Sequence, residues 1–303
     1  MSDNLKRKNT TDQDENSDAI AIKKFRTFIT SCIEIVRKSV SLKYVEGQTQ
    51  EICKAAICYD FKELEFVEKK HRTNELFELA VKQNYLALEY IEEEEQTEDI
   101  CKLAISFDFK SLQYVKSKHR TAIIFKYAID MNPLALQYIE RCEQTEVDCI
   151  RAVSACGMAV QFVRIPMTED IAYAAVKNDG LALMYISWCD QTAEMCCNAV
   201  CNNAQSFQYA LRQDEECCIL ALSEDYTLFC YVDMQIVTED VIMIVIEKDP
   251  LMLKYIKEND QTEDICESAV QLNRLALPWV AEKYKTKKIL EMASHIDDIS
   301  NKK

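Results

Sequence analysis

The stretch QTEDICKLAISFDFKSLQYV, residues 96–115, returns in altered form as QTEDICESAVQLNRLALPWV at residues 261–280. Each copy opens on a threonine followed by two acids and closes on an aromatic followed by valine. The aromatic itself recurs along almost the whole chain. It falls at Tyr44, Phe66, Tyr90, Tyr114, Tyr138, Phe162, Tyr185, Tyr209, Tyr231, Tyr255 and Trp279, in steps of 22 to 24 residues. A period that steady marks one small unit repeated, each copy burying its apolar face on the next.

With the opening residue as position zero, the copies start at Thr27, Thr49, Thr73, Thr97, Thr121, Thr145, Thr168, Thr192, Asp214, Thr238, Thr262 and Thr286. Thr and Asp are good N-caps, and acids such as Glu98, Asp99, Glu263 and Asp264 suit a helix N-terminus. Apolar residues at +3, +4, +7, +8 and often +11 mark one face of a first helix. Position +7 is alanine in ten copies, from Ala56 and Ala80 to Ala269 and Ala293. A residue that small lets two helices approach closely. Polar breaks such as Asn132-Pro133 and Asp249-Pro250 then start a second, shorter helix near +12. Its apolar positions are +14, +15 and +18, with the aromatic at +17 on the flank. Neither helix is long enough to be stable alone, so stacking must supply the stability.

The expected fold is therefore all-α, an α-solenoid of about eleven to twelve helical-hairpin repeats of about 24 residues. Residues 1–22 are polar, lack the pattern and are expected to be a disordered tail. Residues 23–303 are expected to form a single solenoid, with a C-terminal cap from about residue 286. That cap retains Ile289, Leu290 and Ala293, then turns polar at Ser294, His295, Asp297 and Asp298.

Composition agrees with helices throughout. Of 303 residues only 3 are Gly and 4 Pro, and 49% are hydrophobic. The formal net charge of −15 repels phosphate backbones and disfavours general nucleic-acid binding. No apolar run reaches the roughly 18 residues of a membrane span. The first residues lack the apolar core of a secretory signal, so the 15 cysteines are expected as reduced thiols inside a cell.

The spacing T-x-[ED]-x-C-x-x-A-V followed by A-L-x-Y-[IV] resembles a repeat of giant DNA viruses of amoebae, the domain of unknown function 4116 family. Residues 96–115, 168–186 and 261–280 carry the closest matches, and the similarity covers roughly residues 27–290. The resemblance implies a helical array and a giant-virus, mimivirus-like source. It transfers no catalytic residue, since no activity is established for the family. The copies from Asp214 and from Thr27, with Glu34 at the alanine position, depart from the pattern.

The aromatic ladder is either a row of stacking platforms for bases or, as its position beside the apolar face favours, rings packed between successive second helices. The residue before the aromatic points to solvent, and four such residues are glutamines: Gln113, Gln137, Gln161 and Gln208. If the second helices line a concave side, this ladder is the expected partner-binding surface, able to hydrogen-bond a peptide backbone. Cys53, Cys101, Cys149, Cys196, Cys218 and Cys266 all occupy +4, where a free cysteine acts as a small hydrophobe. Cys196, Cys197, Cys201 and the Cys217-Cys218 pair show no C-x-x-C spacing and read as core thiols, not as a zinc site.

His71 and His119 sit in equivalent turns, EKKHRT and KSKHRT, as copies of one repeat. Basic turns (Lys69, Lys70, Arg72; Lys116, Lys118, Arg120) alternate with acidic ones (Glu92 to Glu95; Glu140, Glu143), and a solvated edge is expected. Lys6-Arg7-Lys8 and Lys23-Lys24-Phe25-Arg26 resemble a bipartite basic signal, with chance clustering favoured over nuclear targeting. No phosphate loop, dinucleotide fingerprint or nucleophile elbow occurs.

These readings converge on a non-enzymatic protein–protein interaction scaffold, with no catalytic, cofactor-binding or metal residues assigned. The alternatives are a nucleic-acid-binding repeat using the aromatic ladder and a structural virion component. The expected partner is a protein, with neither a nucleic acid nor a membrane. The expected place is the cytoplasm of an infected host cell.

Overall fold

A computed structural model describes residues 41–295. The proposed tail, the first helix of the Thr27 repeat, both basic clusters and the polar end of the cap (Asp297, Asp298) lie outside those residues. Every regular element among the described residues is helical, and the fold is an α-solenoid of helical repeats. The described residues gather into two compact units that divide between Tyr138 and Ile139.

In the N-terminal unit, α-helices Gln50–Tyr59, Asn74–Gln83, Glu98–Phe107 and Ala122–Met131 alternate with 3-10 helices Phe61–Phe66, Tyr85–Tyr90, Phe109–Tyr114 and Pro133–Tyr138. The C-terminal unit continues the pattern with α-helices Glu146–Ala155, Glu169–Asn178, Ala193–Asn202, Glu215–Glu224, Glu239–Lys248, Glu263–Leu272 and Lys287–His295. Between them lie 3-10 helices Gly157–Phe162, Gly180–Tyr185, Ala204–Tyr209, Tyr226–Tyr231, Pro250–Tyr255 and Arg274–Trp279.

Most caps are those the sequence announces, although Thr73 and Thr121 begin their helices without a side-chain cap bond. Thr97 Oγ1 accepts from the Ile100 N–H at 3.3 Å, and Asp214 Oδ1 accepts from the Cys217 N–H at 2.8 Å. Position +11 departs from expectation. It is Asp or Asn in most repeats, not apolar, because it does two jobs. The Asp60 N–H closes the α-helix on the Ala56 carbonyl at 2.9 Å, while its Oδ1 accepts from the Lys62 N–H at 2.9 Å and opens the next helix. Asn84, Asp108, Asn132, Asp179 and Asp249 cap their 3-10 helices in the same way.

The second leg is a 3-10 helix of six residues, shorter and tighter than the helix the spacing suggested. At three residues per turn, +15 and +18 eclipse one another. That puts Leu88 and Ile91, or Leu183 and Ile186, on one buried line and turns +13 and +16 outward.

The alanine register holds. Ala56, Ala80, Ala104 and Ala128 in the first unit, and Ala152, Ala175, Ala199, Ala221 and Ala269 in the second, are buried, as is Val245 at the equivalent place. In the last helix Ile289 is buried, whereas Leu290, expected in the core, is half-exposed.

Candidate interaction surface

In most repeats the residue just before the N-cap is a polar staple between consecutive repeats; Met167 and Val237 interrupt the series. Gln96 donates from Nε2 to the Tyr114 carbonyl at 3.0 Å, one repeat ahead, and to the Leu88 carbonyl at 3.2 Å behind. Its Oε1 accepts from the Lys116 N–H at 2.9 Å and from the Cys101 thiol at 3.7 Å. Gln48 reaches Phe66 and Glu68 in the same way. In the C-terminal unit, Gln144 reaches Phe162 and Arg164, Gln191 reaches Tyr209 and Leu211, Gln213 reaches Tyr231 and Asp233, and Gln261 reaches Trp279 and Ala281. The carbonyl each Nε2 satisfies is that of the ladder aromatic itself. A polar carboxamide belongs in such an interior only because it is fully paired.

Arginine takes the staple position in alternate repeats of the N-terminal unit. Arg72 donates to the Tyr90 carbonyl at 2.7 Å and the Leu64 carbonyl at 2.8 Å; Arg120 does the same to Tyr138 and Leu112. Arg72 also forks onto Glu95, with Nε and Nη2 contacts of 2.7 to 2.9 Å, and its side chain is only 5% exposed. The expected solvated charge at this turn is thus a buried bidentate pair.

The staple covaries with the buried residue at +4. Gln48, Gln96, Gln144, Gln191, Gln213 and Gln261 accompany Cys53, Cys101, Cys149, Cys196, Cys218 and Cys266, while Arg72 and Arg120 accompany Phe77 and Phe125. The chemistry explains the pairing. A thiol is a weak donor for the spare carboxamide lone pair. A phenyl face takes a guanidinium, at 5.4 Å for both arginines.

Burial pushes the Cys101 thiol up to about 12, and those of Cys53, Cys149 and Cys266 up to about 11. The fourteen described cysteines are all free. Among the described residues, no group of three or more His, Cys, Asp or Glu side chains is arranged to hold a metal ion.

The aromatic ladder is more open than packing between second helices would leave it. In the N-terminal unit the ring at +12 of one repeat rests against the ladder ring of the next, as in Phe61–Tyr90 at 6.2 Å and Phe109–Tyr138 at 6.1 Å. In the C-terminal unit, position +12 is Gly157, Gly180, Ala204 and Pro250 in the repeats before Tyr185, Tyr209, Tyr231 and Trp279, so those rings lack that support, while Tyr226 holds the place before Tyr255. Tyr185, Tyr231, Tyr255 and Trp279 stand 39%, 48%, 60% and 49% exposed. Met184, Trp188, Leu211, Met234 and Leu275 are exposed apolar neighbours on the same 3-10 legs and the turns after them.

The four glutamines of the expected surface lie where the spacing put them, at +16 of the 3-10 legs. Gln113 and Gln161 are exposed; Gln137 and Gln208 are half-buried. Three of them turn the carboxamide back on their own helix: Gln137 to the Leu134 carbonyl at 3.1 Å, Gln161 to Met158 at 2.9 Å and Gln208 to Gln205 at 3.0 Å. Those donors tie down the last 3-10 turn. The two histidines differ in detail: a His119 ring nitrogen lies 3.1 Å from the Glu93 carbonyl, whereas Nε2 of His71 is buried and unpaired.

Charge is divided unevenly. Residues 139–303 carry 28 acidic against 15 basic side chains, a balance of −13, while residues 1–138 carry 23 against 21. In the C-terminal unit the exposed acids recur at the first turn of each α-helix, as Glu169 and Asp170, Glu239 and Asp240, Glu263 and Asp264. Adjacent turns touch: Thr238 Oγ1 donates to Glu215 at 2.6 Å. Among the described residues no helix is long and apolar enough to cross a membrane.

Stapled hairpins with a ring-bearing face define the class, a helical-repeat array. No family model matches the chain, and neither a curated protein nor a solved structure does. The resemblance to the giant-virus repeat rests on the residue pattern alone.

Proposed function

We propose that the protein is a non-enzymatic interaction scaffold that binds a protein partner on the 3-10 face of its C-terminal unit. The observation that carries this is the row of half-exposed rings, Tyr185, Tyr231, Tyr255 and Trp279, held at repeat spacing, with the Tyr231 and Trp279 carbonyls bonded from beneath by Gln213 and Gln261. Stacked repeats bind through extended surfaces of this kind. Aromatics held rigid lose little entropy on binding and anchor protein interfaces. The acidic balance of this unit favours a basic partner. The pattern's resemblance to the amoebal giant-virus repeat supports a viral source and action within the infected cell.

The test is a quantitative pull-down from infected cells with the wild-type protein and with a Tyr231→Ser/Tyr255→Ser/Trp279→Ser variant. The scaffold reading expects a partner set recovered by the first and lost by the second. Identical recoveries, or no partner from either, would remove the basis for it.

Exposed rings also meet one requirement of the nucleic-acid reading, and Arg212 stacks on Trp188 at 5.5 Å. The surrounding balance of −13 opposes it. Binding to single-stranded DNA or RNA on filters at low salt, lost steeply as salt rises, would favour that reading over the scaffold.

A further inference from the structure

We propose that the groove between 3-10 helices Tyr226–Tyr231 and Pro250–Tyr255 seats one apolar side chain of an extended, lysine- or arginine-rich peptide segment of a partner. This rests on the scaffold reading and names the chemistry of what the scaffold holds. The groove has a volume of about 420 Å³ and is lined by Phe229, Cys230, Val232, Met234, Met252 and Tyr255. That size and apolar character belong to a pocket for a buried group.

Its origin can be read from the repeat. Position +16, where Gln161 and Gln208 fold a long carboxamide over the leg, holds Cys230 here. The short thiol bonds the Thr227 carbonyl at 3.3 Å and leaves the space above it open. Position +14 of the following repeat is Met252, where five copies have alanine, so the far wall is apolar and adaptable.

The rim sets the partner's charge. Asp225 caps the first helix, and the Thr227 hydroxyl at 2.6 Å and the Thr227 N–H at 3.0 Å hold its carboxyl below the usual carboxylate range. Asp233 lies in sequence between Val232 and Met234, and Asp249 caps the second helix. The ammonium at this site, Lys254, sits 4.5 Å over the Tyr255 ring. The first of these carboxylates, Asp225, bonds the groove-lining Thr227 and the second, Asp233, stands between two other lining residues, so an apolar slot flanked by acids fits a cationic segment with an apolar anchor and repels an acidic one.

The test uses the full-length protein and fluorescein-labelled short peptides read by anisotropy. One peptide has a central Phe between Lys-rich flanks. A second replaces the Phe by Ala, and a third replaces the flanking Lys by Glu. The first is expected to bind, with a loss of at least about tenfold for each of the other two, the scale of removing an interface anchor.

Cys230→Gln restores the residue found in other repeats and is expected to fold normally while losing the same factor. Met234→Asp, at an exposed site, gives a second reading should the first variant fail to fold. Equal binding of all three peptides, no binding of any, or full binding by both variants would overturn the proposal. So would a self-associated species in sedimentation that Cys230→Gln dissolves, since the occupant would then be a second copy. Rejection of the peptides by a protein that still recovers its partner through Tyr231, Tyr255 and Trp279 overturns the groove assignment and leaves the scaffold standing.

Discussion

Gln96 and Tyr114 are joined across one repeat: the side-chain Nε2 of the first donates to the backbone carbonyl of the second at 3.0 Å. The bond satisfies the end of a 3-10 helix that has no following turn to do so. Replacing Gln96 by Leu keeps the volume but strands that carbonyl and the Lys116 N–H, both of which now meet this one carboxamide. Each stranded buried group costs about 1–3 kcal/mol, so the variant should lose about 2–6 kcal/mol. Gln113→Leu, on the exposed side of the same helix, should change stability by less than about 0.5 kcal/mol. Urea unfolding of the two variants checks this, and equal midpoints would mean the staple contributes nothing.

Close packing gives a second expectation. A Cβ built on Gly180 falls 2.3 Å from the Ala199 carbonyl oxygen, and one on Gly157 falls 2.5 Å from that of Ala175. Both obstacles are backbone atoms of the next α-helix and cannot rotate away. The same glycines donate their N–H groups to Asn202 at 2.9 Å and Asn178 at 2.6 Å. Gly180→Ala should therefore cost about 1–3 kcal/mol by overpacking, although alanine is the better helix former. Thermal unfolding unchanged from wild type would show that the repeats can slide apart at no cost.

The repeat, its α-helices, their caps and the alanine contact were all legible, because each depends on residues within one copy. What eluded the sequence depends on two copies at once. Gln and Arg before a capping threonine look like turn polars, and only the neighbouring repeat makes them core. Their alternation with Cys or Phe five residues on, Gln96 with Cys101 and Arg72 with Phe77, was a readable signal of a shared buried site. The 3-10 geometry was hidden because apolar residues at +14, +15 and +18 suit an α-helix as well. The exposure of Tyr231 and Trp279 was hidden because it is set by Ala204 and Pro250, each in the repeat before.

Ser111 tests the same accounting from the other side. Its hydroxyl is buried and has no hydrogen-bond partner, and the equivalent position is alanine at Ala87, Ala135, Ala159, Ala182 and Ala276. Ser111→Ala removes an unpaired polar atom without opening a large void. It should stabilise the protein by about 1 kcal/mol, where most core substitutions destabilise. A lower urea midpoint for this variant would place an unseen partner on the hydroxyl.

The thiols give the pH dependence its sign. An exposed cysteine in the unfolded chain has an ordinary value near 9.0, whereas burial holds Cys101 up to about 12 and Cys149 up to about 11. Below the unfolded value both states keep their protons and stability is flat. Above it the unfolded chain binds fewer protons than the folded one, so stability falls as pH rises toward the folded values. Urea midpoints should therefore drop between about pH 8.5 and pH 10.5, and a Cys101→Ala/Cys149→Ala variant should drop less steeply over the same range. Other groups titrating there are common to both proteins and cancel in the comparison. Parallel slopes would mean the two thiols reach solvent, which would also unseat them as donors to Gln96 and Gln144.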